Sequence, residues 1–127
     1  MRPIPLGAKG SFTLLVRPEH LANSFKDAAL PPVLATPVMI MVMENAALNA
    51  IRGYLDPGES AVGTAVDIRH LAATPAGRLV TGAAVVTRLD GRRVEFAVEA
   101  SEGTTLIGVG SHRRAVIDLA KFAAAMQ

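Results

Sequence analysis

The sequence predicts an α+β fold in which an antiparallel sheet wraps around one long central helix. Three observations predict it. Val38 to Tyr54 (VMIMVMENAALNAIRGY) has apolar residues on nearly every side through its first two turns, where a surface helix would carry a single stripe. From Ser60 onward the chain changes to Val, Thr, Ala, Ile and Gly with polar and apolar residues interleaved, the period of strands. Turn signals at Asp90-Gly91 and Glu102-Gly103 cut that stretch into lengths that pair back on themselves.

Taken in order, Ser11 to Arg17 (SFTLLVR) reads as a first strand closed by Pro18, and the residues up to Pro31-Pro32 as a loop or short helix. Thr36-Pro37 opens the central helix, with the threonine hydroxyl as N-cap and the proline at the first helical position. Gly53 and Asp56-Pro57-Gly58 end it. Four antiparallel strands follow, over Ala61 to Ala73, Arg78 to Leu89, Arg92 to Ser101 and Thr104 to Ile117, with Thr74-Pro75-Ala76-Gly77 as the first connection. Val94, Phe96, Val98 and Ala100 share one face of the third, while Arg93, Glu95 and Glu99 take the other. Asp118 to Met126 reads as a short terminal helix. A helix that is apolar all round must be covered all round, so the sheet has to curl about it, which is the layout of a hotdog fold. The short first strand leaves an edge for a second copy, and a homodimer is the expected assembly.

With 127 residues and neither repeat nor linker, one domain over residues 1–127 is expected. A hydrophobic fraction of 50%, a formal charge of +2 and a mean hydropathy of +0.35 are the opposite of a disordered composition. The uncharged stretch at the apolar peak, Leu30 to Met43, holds three prolines and stops at Glu44, too short to span a bilayer. No membrane attachment is expected. Met1-Arg2-Pro3-Ile4-Pro5 lacks the apolar run of a secretory signal, which points to a cytoplasmic location. The absence of cysteine removes disulfides and thiol nucleophiles, and the scattered His20, His70 and His112 make poor metal-ligand spacing. The isoelectric point of about 9.5 raises nucleic acid as a partner, but aromatic residues at 4% supply no stacking platforms, and nucleic acid is disfavoured. Arginines gathered in the second half, among them Arg78, Arg88, Arg92, Arg93, Arg113 and Arg114, suit solvated strand faces or a small phosphorylated ligand.

Glu44 is the outstanding anomaly: a carboxylate in the second turn of the apolar helix, with Met39, Ile40, Met41, Ala47 and Leu48 as neighbours. Desolvation makes an unpaired charge there costly, so it is paired, protonated or working. A structural glutamate reaching an arginine or a dimer interface, and a catalytic carboxylate, both satisfy that condition. His70 shares its strand face with Val66, Ile68 and Ala72, either as a core residue or as the best available proton carrier in the chain. Thr36 caps the helix, and its hydroxyl at the positive end of the dipole also suits a polarised carbonyl. Gly63 marks a strand bulge or a close backbone approach by a ligand. His112, among Arg113 and Arg114, and His20, in a loop, are weaker candidates. Thr36 and Glu44 lie eight residues apart, ~12 Å along a helix at ~1.5 Å per residue, so an extended substrate or a second subunit must join them if they serve one site.

The segments Val33-Leu34-Ala35-Thr36-Pro37, Met43-Glu44, Val62-Gly63-Thr64-Ala65-Val66, His70-Leu71-Ala72-Ala73-Thr74-Pro75-Ala76-Gly77 and Gly110-Ser111-His112-Arg113-Arg114-Ala115-Val116-Ile117 resemble the hotdog acyl-CoA thioesterases of the fluoroacetyl-CoA thioesterase type. The resemblance implies hydrolysis of an acyl-CoA thioester to a free acid and CoA, with no metal or redox cofactor. It implies a catalytic set of Thr36, Glu44 and His70 and substrate contacts from Gly63 and Arg114, the latter with its neighbours at the CoA phosphates. Asn23 to Pro32 (NSFKDAALPP) departs from the fluoroacetyl-specific pattern, so short or medium acyl groups with overlapping efficiencies are expected. Two alternatives are a non-catalytic acyl-CoA-binding module and a hotdog dehydratase. The latter places a histidine just before or on the helix, where this chain has none between His20 and His70.

Overall fold

The computed structural model describes residues 1–127. Strand β1 (Lys9–Leu15) leads through a short 3-10 turn and helix α1 (Ala22–Phe25) to the central helix α2 (Thr36–Ile51), which ends in a 3-10 turn over Arg52–Tyr54. Strands β2 (Glu59–His70), β3 (Leu79–Asp90), β4 (Arg93–Glu102) and β5 (Thr105–Asp118) follow, then helix α3 (Leu119–Ala125). All pairings are antiparallel, in the order β1-β3-β4-β5-β2. The edges are therefore β1 and the longer β2.

The predicted order of elements is the observed one, with bounds displaced by up to three residues. Strand β1 begins earlier than predicted, at Lys9, because its register against β3 runs from Lys9 opposite Val85 to Leu15 opposite Leu79. The two hairpins turn on Gly91-Arg92 and Gly103-Thr104, one residue later than predicted: glycine takes the first central position, with φ +59° and +57°. Asp118 caps α3, its carboxylate accepting from the Lys121 N–H at 3.0 Å.

The predicted face of β4 is the core face: Val94, Phe96, Val98 and Ala100 are all buried. Helix α2 rests on it and on the β1 and β3 side of the sheet. Its backbone comes so close that a Cβ at Gly82 would stand 2.7 Å from the Val42 carbonyl oxygen, and one at Gly10 would collide with the Ala46 and Ala50 backbone. Val38, Met39, Val42, Met43, Ala46 and Ala47 are buried there. The helix is not covered on every side, contrary to the expectation from its composition. Pro37 and Met41 are exposed, and Glu44, Asn45 and Leu48 are half-buried. An apolar helix face and the concave side of β2, where Val66 is 48% exposed, thus stand uncovered in the single chain.

Candidate active site

The entrance to α2 is tied to the segment that follows β2. The Leu34 N–H donates to the Thr74 carbonyl at 2.8 Å, and the Ala35 N–H to the His20 carbonyl at 3.0 Å. These bonds bring the first residue of the helix beside the last residue of β2. Thr36 is that first helical residue, preceded by Ala35 as N-cap, so the predicted capping role of its hydroxyl is not the observed one. Thr36 Oγ1 instead lies 2.8 Å from His70 Nδ1. The hydroxyl is free to do this because an N1 side chain points away from the orphan amides that an N-cap would satisfy. Burial pushes His70 below the usual histidine range, with the Ala72 backbone pulling less strongly the other way. Its Nε2 is buried without a hydrogen-bond partner. The pair sits in a cleft of about 440 Å³ whose apolar lining includes Leu30, Val33 and Leu71, with Lys26 at its margin. Lys26 and Leu30 bring the departing segment Asn23 to Pro32 against this cleft.

A second cluster surrounds Glu44. Its carboxylate makes no hydrogen bond or ion pair within the chain, and Oε2 stands 2.9 Å from where a Cβ at Gly63 would be. Gly63 is also the point at which the β2–β5 register shifts, so it serves both as bulge and as close approach. Beside it lie His112 and Arg114, which face inward because they oppose Phe96 and Val94 of the core face of β4. Arg114 is 8% exposed and donates from Nη2 to the Ala61 carbonyl at 2.6 Å. Its guanidinium is turned inward, away from a surface position suited to CoA phosphates. Burial lowers its pKa, and the charge of Glu44 opposes that shift. The exposed Arg88, Arg93 and Arg113 line a cleft of about 510 Å³ that Arg114 also reaches.

One chain thus joins Thr36 with His70, and Glu44 with Gly63 and Arg114, but keeps the two groups apart. Gly63 and His70 stand seven residues apart on β2, roughly 23 Å at ~3.3 Å per residue. His112, weak in the sequence, is 1% exposed and belongs to the Glu44 group. Alternation along β5 carried the signal: His112 and Arg114 have the parity of the buried Val116.

Solved structures of known proteins share the fold. The fluoroacetyl-CoA thioesterase FlK superposes with a TM-score of 0.92 at 37% identity, covering 98% of this chain and 96% of that one. A thioesterase superfamily member of Thermus thermophilus gives 0.91 at 35% identity, with 99% and 93% covered. At 21% identity, a hot-dog-like protein of Thermanaerovibrio acidaminovorans matches in fold, with a TM-score of 0.85 over 97% of this chain and 90% of its own. Fold and relatives define the class, a hotdog-fold thioester hydrolase. The family model of fluoroacetyl-CoA-specific thioesterase matches residues 16–120, and the fluoroacetyl-CoA thioesterase of Streptantibioticus cattleyicolor is 46% identical over 95 residues, 75% of this chain and 68% of that protein. The chain belongs to the family of fluoroacetyl-CoA-specific thioesterases.

Proposed function

We propose that the protein hydrolyses short-chain acyl-CoA thioesters at a site assembled from two subunits. The observation that carries this reading is the Glu44 carboxylate, unbonded within its own chain and standing over a strand position without a side chain. Apart from its charge acting on Arg114 and His112, such a group has no partner in the single chain. In the proposed reaction Glu44 acts on the thioester carbonyl carbon, as nucleophile or as the base that activates water. Water supplies the oxygen of the free acid, the carbon–sulfur bond breaks, and the CoA thiolate leaves and is protonated. Thr36 and nearby amides hold the carbonyl oxygen and the carboxylate, and His70 manages protons at its unpartnered Nε2. Gly63 and the inward Arg114 contact the thioester end of the substrate, while the exposed arginines suit the CoA phosphates. The reaction so written calls on no metal or redox cofactor.

The homodimer places the interface along the β2 edge, which carries both Gly63 and His70, with the open Met41 face of α2 against the partner. Glu44 of one subunit then meets Thr36 and His70 of the other. A cytoplasmic location accords with a polyanionic substrate that does not cross membranes. No helix of the chain is long and apolar enough to span one.

The test is release of free CoA thiol from a panel of short and medium acyl-CoAs, fluoroacetyl-CoA included. Turnover by the wild type and its loss in Glu44→Gln support the reading. Tight binding without thiol release favours the non-catalytic module.

A further inference from the structure

We propose that His112 is a positioning residue that holds the Arg114 guanidinium beside Glu44, acting as a neutral imidazole of fixed tautomer; the proposal rests on the placement of Glu44 and Arg114 in the site described above. Two neighbours with one-way hydrogen bonding set the ring. Nδ1 lies 2.8 Å from the Ala65 carbonyl oxygen, which only accepts, so Nδ1 carries the hydrogen. Nε2 lies 3.1 Å from Nη1 of Arg114, which only donates, so Nε2 must be the bare acceptor. An imidazolium would set an N–H against an N–H. The ring plane is held by Phe96, stacked at 5.9 Å between centroids and 23° between planes.

The charged groups around His112 come from two elements, Arg114 on its own strand and Glu44 on α2. Burial is the largest influence on the ring and pushes it below the usual histidine range; the Ala65 backbone opposes this, Arg114 adds to it, and Glu44 opposes it. Arg114 is consequently fixed at both ends of its fork, by Ala61 through Nη2 and by His112 through Nη1, while its buried Nε has no partner. Removing the His112 acceptor would leave a second buried guanidinium donor unpaired and free the fork to swing away from Glu44. A histidine here therefore serves as an acceptor that stays uncharged beside a cation, which no carboxylate would do.

Two measurements test this. Nitrogen NMR of the wild-type ring at neutral pH is expected to show Nδ1 protonated and Nε2 bare; an Nε2–H tautomer or an imidazolium overturns the proposal whatever the enzyme's activity. Kinetics then read the coupling. His112→Phe keeps the stack and removes the acceptor, and is expected to lower kcat/KM about tenfold or more. His112→Gln, whose amide oxygen can accept from Arg114, is expected to stay within about threefold of wild type. With Arg114→Ala in the background, His112→Phe is expected to cost nothing further; additive losses, a wild-type rate in His112→Phe, or failure of glutamine to rescue overturn the proposal. If the wild type releases no thiol, the functional reading fails separately, and the same coupling is read in binding of a non-hydrolysable acyl-CoA thioether by calorimetry.

Discussion

Thr36 and His70 illustrate how a short contact changes the meaning of two ordinary residues. A threonine before a proline at a helix start usually caps, yet here the hydroxyl is turned to an imidazole 2.8 Å away. Because burial lowers its pKa, His70 at neutral pH is the free base, ready to accept a proton. We expect kcat/KM to hold through neutral pH and to fall only below about 6.5, the unperturbed histidine value, and His70→Ala to lose that acid limb together with most of the rate. A pH–rate profile of the two proteins checks this, and an unchanged profile in the variant returns His70 to the core. Glu44→Gln preserves volume and is expected to cost at least about a thousandfold in kcat with an unchanged melting temperature. Retained turnover there would remove the carboxylate from the chemistry.

The half-buried His70 and the buried His112 also bear on stability. His70 and His112 have depressed values in the folded state, so the unfolded chain binds the extra protons first as pH falls. Their contribution is complete above about 6.5 and is lost as pH falls below it toward the folded values. Denaturant midpoints at pH 7.5 and 5.5 are expected to differ in wild type and to converge partly in His112→Gln.

At the level of elements, two glycines do opposite kinds of work. Gly82 lets β3 meet the backbone of α2, and a methyl there would face the Val42 carbonyl at 2.7 Å, which cannot step aside. Gly82→Ala is expected to destabilise by about 1–3 kcal/mol as overpacking, read as a lower denaturant midpoint. Gly63 faces the far end of the flexible Glu44 side chain at 2.9 Å. Because the fixed His112 ring stands next nearest, at 3.3 Å, Gly63→Ala should lower the unfolding midpoint, though by less than Gly82→Ala, while displacing the carboxylate and cutting turnover about tenfold or more. Equal losses of stability in both variants would mean that Glu44 is packed rather than poised.

For the whole molecule, the distance between the two residue groups makes assembly a matter of chemistry. Mixing and reassembling Glu44→Gln with His70→Ala should regenerate one intact site per mixed dimer, about a quarter of wild-type activity at statistical pairing, from two nearly inactive parents. No recovery would show that each chain works alone. Met41→Lys, on the open helix face, is expected to yield monomers by light scattering and to lose turnover with them. Selectivity belongs to this scale too. The Thr36–His70 cleft has an aliphatic lining of Leu30, Val33 and Leu71, which separates similar acyl groups by only ~1–3 kcal/mol. Fluoroacetyl-CoA and acetyl-CoA are expected to be hydrolysed with efficiencies within roughly 200-fold of one another, and a preference of many thousandfold would mean that another element closes the cleft.

Local periodicity determined the order of elements, the core face of β4 and the hairpin positions to within a residue, because spacing of apolar side chains is a property of neighbours in sequence. It also singled out Glu44, since a charge in an apolar helix stands out without any partner in view. The role of Thr36 was not legible, because the same residue caps or contacts according to where the chain enters the helix, and bonds to His20 and Thr74 decide that entrance. His112 reads only as a weaker candidate for a similar reason: its parity with Val116 is visible in sequence, but the Ala65 carbonyl that orients it lies 47 residues away across a register shift. Pattern within a strand says which face a side chain takes; only pairing between distant strands says what waits there. The separation of Glu44 from His70 and the uncovered face of α2 are likewise consequences of sheet order, set by contacts that no local window contains.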